Sequence, residues 1–217
     1  MLSSKIFPGE IPVAQHICML YGSEKKRIDV LAQCIDSALQ KKEKVLYIGS
    51  DNPLISRSLS PPGRTRFKEC LGNGQLEVWD PGVTDLRLEE LPVFLMMATE
   101  EALTAGWSAL FFTLDIRDFL KKGFDSFEIM KFESRLNYVC KVGRCHSLCQ
   151  YDYQRLPASL VRNAIATHSM IAVGKILLEN PFFLVPQPKQ DSHEFVLDGF
   201  VTEIFANMDT MHLGILN

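Results

Sequence analysis

A three-layer α/β/α fold with a mainly parallel central sheet is what this chain predicts, and three observations carry it. Short, apolar, turn-bounded runs alternate with amphipathic stretches from Ala14 to Leu178, and parallel strands need such helical crossovers between them. One run, Ser108–Leu114, is apolar almost throughout, as a strand covered on both faces must be. At 217 residues the chain is long enough to bury one substantial core.

The elements follow in order. Ala14–Tyr21 reads as a buried strand after the Pro8-Gly9 turn and Pro12. In Glu24–Gln40 the apolar Ile28, Leu31, Ala32, Ile35 and Leu39 recur at steps of three and four, opposite Lys25, Asp29, Gln33 and Asp36, which makes a helix lying on one sheet face. Val45–Ile48 is the second strand. Ser60-Pro-Pro-Gly63 is read as a loop, with at most a short helix before the strand Leu76–Trp79. Glu89–Ala105 is a helix that tolerates Pro92 in its first turn and ends at Gly106. Ser108–Leu114 follows as the central strand. Phe124–Val142 is a helix with Ser126 as N-cap, then come the strand Ser147–Tyr151, the helix Pro157–Thr167 and a last strand region, Met170–Leu178.

Residues 1–185 form the expected domain. Residues 186–217 read as a linker followed by an amphipathic helix, in which Leu197, Phe200, Val201, Ile204, Phe205 and Met208 fall at helical spacing. That helix either packs back on its own domain or docks a partner or a second copy in a homodimer.

A net charge of −3, with lysines and arginines scattered, leaves no electrostatic footprint for nucleic acid. The first residues lack the features of a signal peptide and no apolar run spans a bilayer, so a cytoplasmic protein without membrane contact is expected. Six cysteines in a chain of this length do not make a secreted disulfide framework, and reduced thiols are expected.

The stretch Met19-Leu-Tyr-Gly-Ser-Glu-Lys-Lys-Arg27, followed by a helix and Glu43-Lys-Val-Leu-Tyr-Ile48, resembles the first unit of the RecA/KaiC-like P-loop ATPases. Gly22, Ser23 and Lys25 match the phosphate loop, and Asp115 matches the aspartate that holds the metal at the end of a central strand. A phosphate loop needs glycines to let backbone N–H groups close on oxygens, a lysine, and a hydroxyl for Mg²⁺. Counted from Lys25, the signature glycines fall at Met19 and Glu24 and the hydroxyl at Lys26, so the loop is degenerate.

A resemblance over about His16 to Phe183 is to the MEDS domain, the sensory domain of the dichloromethane-repressor type in methanogens and methylotrophs. It is carried by His16-Ile-Cys-Met-Leu-Tyr21, Phe132-Glu133 with Leu136-Asn137, Leu148-Cys-Gln-Tyr-Asp152, and His168 with Asn180-Pro181. The resemblance implies a non-catalytic derivative of the RecA/KaiC fold that senses a small organic molecule, a hydrocarbon derivative, and signals through a partner. Only a short segment precedes His16, which leaves no room for a helix-turn-helix, so the DNA contact of the repressors is not expected of this chain.

Ligands of parallel sheets sit beyond the carboxyl ends of the strands, where Tyr21, Asp115, Cys149, Tyr151 and Asp152 are expected to meet. The resemblance adds His16, Glu133 and His168, the last two from helices, as polar anchors of an apolar pocket. Cys140-x4-Cys145-His146-x2-Cys149 groups metal-ligand residue types, but it spans a helix end and a strand start, and no metal or cofactor is expected; a redox-sensing thiol pair is the other reading. The competing function is a nucleotide-binding ATPase or switch in which Lys25, Lys26 and Arg27 still hold a phosphate.

Overall fold

The computed structural model describes residues 4–6, 15–84 and 87–184, and its eight strands form one sheet. In chain order the elements are β1 (Ser4–Ile6), β2 (His16–Tyr21), α1 (Glu24–Gln40), β3 (Lys44–Ile48), α2 (Asn52–Ser58), α3 (Pro61–Gly72), β4 (Leu76–Trp79), α4 (Leu91–Thr104), β5 (Leu110–Asp115), α5 (Ile116–Lys121), α6 (Ser126–Val142), β6 (Cys145–Asp152), α7 (Ala158–Thr167), β7 (Met170–Val173) and β8 (Ile176–Glu179). The sheet order is β1-β8-β7-β2-β6-β5-β3-β4. The six strands from β7 to β4 run parallel, and β8 and β1 continue the sheet antiparallel.

Alternation along each strand divides the core in two. Ile17, Met19 and Tyr21 of β2, Val45 and Tyr47 of β3 and Phe111 of β5 pack beneath α1, α2 and α3. Cys18, Leu46, Ile48, Leu110, Phe112, Leu114, Cys149 and Tyr151 face α4, α5, α6 and α7. Strands β5 and β6 are buried at every position; β5 is accordingly almost wholly apolar, whereas β6 buries His146, Ser147, Gln150 and Asp152 as well.

Two expectations need correction, and two readings gain detail. Ser60-Pro-Pro-Gly63 is not a loop: Pro61 and Pro62 open α3, in a first turn where their missing N–H groups would have had no partner. The N-cap of α6 is Asp125, whose carboxylate accepts from Glu128 N while Glu128 reaches back to Asp125 N in a capping box. Asp115 starts a further helix, α5, by accepting from Arg117 N at 2.9 Å. Met170–Leu178 is a hairpin, β7 and β8, turned at Gly174 with φ +57°. The linker and amphipathic helix read in residues 186–217 lie outside the described residues.

At the end of β8, Asn180 ties the sheet to α7. Its side-chain amide donates to the carbonyls of Ile165 (2.5 Å) and His168 (2.7 Å), and its Oδ1 accepts from Phe182 N at 3.0 Å. Among the described residues, no helix is long and apolar enough to cross a membrane.

Candidate functional site

The predicted site residues fall on both faces of the sheet, in two separate groups. Tyr21 and Asp152, at the carboxyl ends of β2 and β6, stand with Asp115 at the edge where a nucleotide would sit in a P-loop fold. His16, Glu133, Cys149, Tyr151 and His168 meet on the other face, beneath α6 and α7. The expectation that Cys149 and Tyr151 share the carboxyl edge with Tyr21, Asp115 and Asp152 is therefore corrected. Strand alternation turns odd-numbered residues of β6 toward α6 and even-numbered ones toward α1.

At the carboxyl edge, arginines stand on the carboxylate that matches the metal-holding aspartate. Asp115 accepts from Arg117 Nη2 at 2.7 Å and from Tyr21 Oη at 2.7 Å, and Arg27 Nη1 lies 3.6 Å away. Arg27 is 2% exposed. It donates to Glu24 at 2.9 Å, to Gln150 Oε1 at 2.8 Å and to Asp51 at 2.5 Å. Arg117 also pairs with Glu24 and reaches Asp152 at 3.4 Å.

Burying a guanidinium costs several kcal/mol, and removing its carboxylates would leave that cost uncompensated. Burial would lower the affinity of Arg27 for its proton, but Asp115, Asp51 and Glu24 more than offset this and hold it charged. Burial likewise acts to raise the Glu24 carboxyl, and Arg117 and Arg27 reverse the sign and leave it lowered.

The loop lysine is elsewhere. The Lys25 side chain is 87% exposed and pairs with Asp29 one helical turn on. Ser23 is the N-cap of α1 without a side-chain capping bond. At Gly22, a Cβ would come within 2.6 Å of the Tyr153 hydroxyl, so the glycine accommodates an aromatic side chain of this chain. Around these groups lies a cleft of about 610 Å³, lined among others by Lys25, Arg57, Lys121 and Arg155.

The second group is sealed from solvent. His16, Glu133, Cys149, Tyr151 and His168 are each no more than 2% exposed. Strand β2 brings His16, α6 brings Glu133, and β6 brings Cys149 and Tyr151. His168 stands at the C-cap of α7, immediately before β7, rather than within a helix.

Nε2 of His16 lies 2.8 Å from Oε2 of Glu133, and Nε2 of His168 lies 3.3 Å from the same oxygen. Cys149 Sγ is 3.5 Å from His16 Nε2. The other carboxylate oxygen, Oε1, accepts from Tyr151 Oη at 2.6 Å. The two imidazole rings lie with centroids 3.8 Å apart, their planes tilted by 38°. Burial alone would raise the Glu133 carboxyl, but His168 and His16 outweigh it and leave it lowered. Burial, and then the Glu133 charge, push the Cys149 thiol and the Tyr151 phenol up.

Both imidazoles are oriented from behind. His16 Nδ1 lies 3.0 Å from Asn137 Oδ1, and Asn137 Nδ2 donates to Thr167 O at 2.7 Å, which fixes the amide with its oxygen toward His16. His168 Nδ1 lies 2.6 Å from the Ala164 carbonyl. Asn137 was part of the sequence resemblance but was given no role there, and Arg27 and Arg117 were not singled out for this arrangement.

The cysteine-rich run assembles only in part: Cys140 and Cys145 are hydrogen-bonded to each other and share one sheet face with Cys149, but His146 does not join them. Cys145 and Cys149 face α6, whereas His146 points to the opposite face and meets Glu43 Oε2 at 3.0 Å. Cys140 Sγ lies 3.4 Å from Ser147 Oγ. All six cysteines are free and buried.

Comparison with known proteins agrees with this architecture. A KaiC-like protein from Pyrococcus horikoshii OT3 superposes with a TM-score of 0.55 at 12% identity, covering 76% of this chain and 73% of that one. The flagellar accessory protein FlaH from Methanocaldococcus jannaschii gives 0.53 at 15% identity, with the same coverage of 76% and 73%. At such identities the likeness is one of fold, and the expected RecA/KaiC-like three-layer architecture is the one found. No curated protein matches the sequence. The family model described as the methanogen/methylotroph DcmR sensory domain matches residues 15–169, a span that includes both groups of site residues, and the chain belongs to this MEDS family of sensory domains.

Proposed function

We propose that this chain is a non-catalytic sensory module that takes up a small organic molecule, a hydrocarbon derivative, and passes its state to a partner protein. Membership in a sensory family supports the role. The single observation that carries the non-catalytic part is the position of Arg117 and Arg27 on Asp115. A carboxylate already engaged by two guanidiniums and a phenol is poorly placed to hold a magnesium ion for phosphoryl transfer.

Recognition falls to the buried group on the other face. His16, Glu133, Cys149, Tyr151 and His168 supply donors and acceptors among apolar neighbours such as Phe132 and Leu136, the composition suited to a small molecule with one polar head. Output falls to the chain beyond β8, because Asn180 links His168 to the residues that follow.

A second reading, a nucleotide-responsive switch, is favoured by the cleft of about 610 Å³ with Lys25, Arg57, Lys121 and Arg155 on its walls. One experiment separates the two. Thermal unfolding is followed with short alcohols, aldehydes and alkyl halides, and separately with Mg-ATP and Mg-ADP. Stabilisation by a member of the organic panel that Glu133→Gln removes supports the sensor. Stabilisation by Mg-ATP that Lys25→Ala abolishes establishes the switch instead, and a flat response to the whole organic panel sinks the sensory assignment.

A further inference from the structure

The buried group on the α6 face crowds ligand-type atoms around one carboxylate oxygen and leaves two of them without a hydrogen-bond partner. His16 Nδ1 and His168 Nδ1 both face oxygens that can only accept, Asn137 Oδ1 and Ala164 O. Each Nδ1 therefore carries a proton, and the Nε2 atoms are the ones left to face into the group. Those two Nε2 atoms converge on a single oxygen, Oε2 of Glu133, at 2.8 and 3.3 Å. Oε2 of Glu133 and Nε2 of His168 have no hydrogen-bond partner although both are fully enclosed.

Leaving such atoms unpaired in an interior is costly, and more so for a charged one. Extra protons on the two imidazoles would answer both contacts, at the cost of enclosing two positive charges on one carboxylate. A cation in the middle of the group answers all of them at once.

We propose that His16, Glu133, Cys149 and His168 form a binding site for one divalent transition-metal ion of borderline softness, with zinc as the reference ion. The four ligand atoms lie within 4.8 Å of one another. In a tetrahedral site with metal–nitrogen and metal–oxygen bonds of about 2.0–2.2 Å and metal–sulfur of about 2.3 Å, neighbouring ligands stand roughly 3.3–3.6 Å apart. The His168–Glu133 and Cys149–His16 separations of 3.3 and 3.5 Å already have that spacing. The His16–Glu133 separation of 2.8 Å must open by about half an ångström on loading.

Two imidazoles, a thiolate and one carboxylate select against magnesium and calcium, which take oxygen cages, and suit zinc, cobalt(II) or iron(II). The surroundings match as well. Asn137 and the Ala164 carbonyl orient the imidazoles through Nδ1, and Tyr151 holds the free carboxylate oxygen, as outer partners of metal ligands do. Loading exchanges the Cys149 S–H proton, released to buffer, for a metal–sulfur bond. The metal site stands independently of the sensory reading, since a structural ion would leave the same signature.

Full-length protein free of an affinity tag, stripped with chelator and reloaded with zinc or cobalt(II), tests the site. The expected result is one ion per chain retained through gel filtration, with a cobalt spectrum containing a thiolate charge-transfer band. Cys149→Ser removes that band, His168→Gln weakens zinc at least tenfold, and His146→Gln, on the opposite sheet face, changes neither. X-ray absorption of zinc-loaded wild type reads two imidazoles and one sulfur directly, so the test survives variants that fail to fold. Folded wild-type protein that takes up neither ion stoichiometrically overturns the proposal, and so does an ion whose sulfur and imidazole neighbours are absent or whose uptake is indifferent to both substitutions.

Discussion

Tyr151 donates its phenolic hydrogen to Oε1 of Glu133 at 2.6 Å, across from β6 to α6, in a place neither residue shares with solvent. A charged acceptor makes this bond worth more than an ordinary hydrogen bond. Tyr151→Phe keeps the packing and deletes only the donor, leaving Oε1 enclosed and unpaired. The expected loss is about 1–3 kcal/mol, measured by urea unfolding at neutral pH. A change inside experimental error would mean that Glu133 finds another donor.

The alkaline limit of stability should be set in part by Tyr21. Burial first, and then Asp115 beside it, raise its phenol above the usual value of 10.0, against the opposing pull of Arg117 and Arg27. An acid raised on folding stabilises the native state fully below its unfolded value, and that stabilisation is lost as pH rises through and above it. The urea midpoint is expected to fall from about pH 10 upward, and Tyr21→Phe should flatten that limb. A limb as steep in the variant would assign it to other groups.

Acid acts through Glu24 with the opposite sign. Its carboxyl is lowered on folding by Arg117 and Arg27, so its contribution is complete above the unfolded value near 4.5 and is lost as pH falls through the lower folded one. The side chain is 42% exposed, so the effect is screened. Added salt should shrink the difference between wild type and Glu24→Gln seen above pH 5, as read from thermal midpoints in low and high salt.

The capping box at α6 is a local contribution to the helix that carries Glu133 and Asn137. Asp125→Ala removes the acceptor for Glu128 N and is expected to cost roughly 0.5–2 kcal/mol. Asp125→Asn should restore most of it. Equal losses in the two variants would show that the cap does not act through this bond.

Much of the fold was legible because hydrophobic period and turn residues agree along most of the chain. Helix α1 and strand β4 have the predicted bounds, Glu24–Gln40 and Leu76–Trp79. Helix α3 was hidden because Pro61 and Pro62 carry opposite meanings in a loop and in a first helical turn, and only the residues behind them decide. Helix α5 is six residues long, too short to show a period.

The polar groups were less legible. His16, Glu133, Cys149 and His168 come from four elements with no local spacing in common, and it was a resemblance that named them together. Their convergence on a single point depends on which sheet face each strand residue takes. The adjacent pair Cys145 and His146 shows the converse, since a one-residue step puts them on opposite faces. Arg27 was grouped with Lys25 and Lys26 as a candidate phosphate holder, and only the fold brings Asp51 and Asp115 to it.

The double grip of Asn180 joins the backbone after β8 to the buried group by one side chain. One amide holds the carbonyl of His168, the residue whose imidazole completes the buried group, and its own oxygen holds the amide of Phe182. The lever between the deepest polar atoms of the domain and the departing backbone is thus a single side chain long.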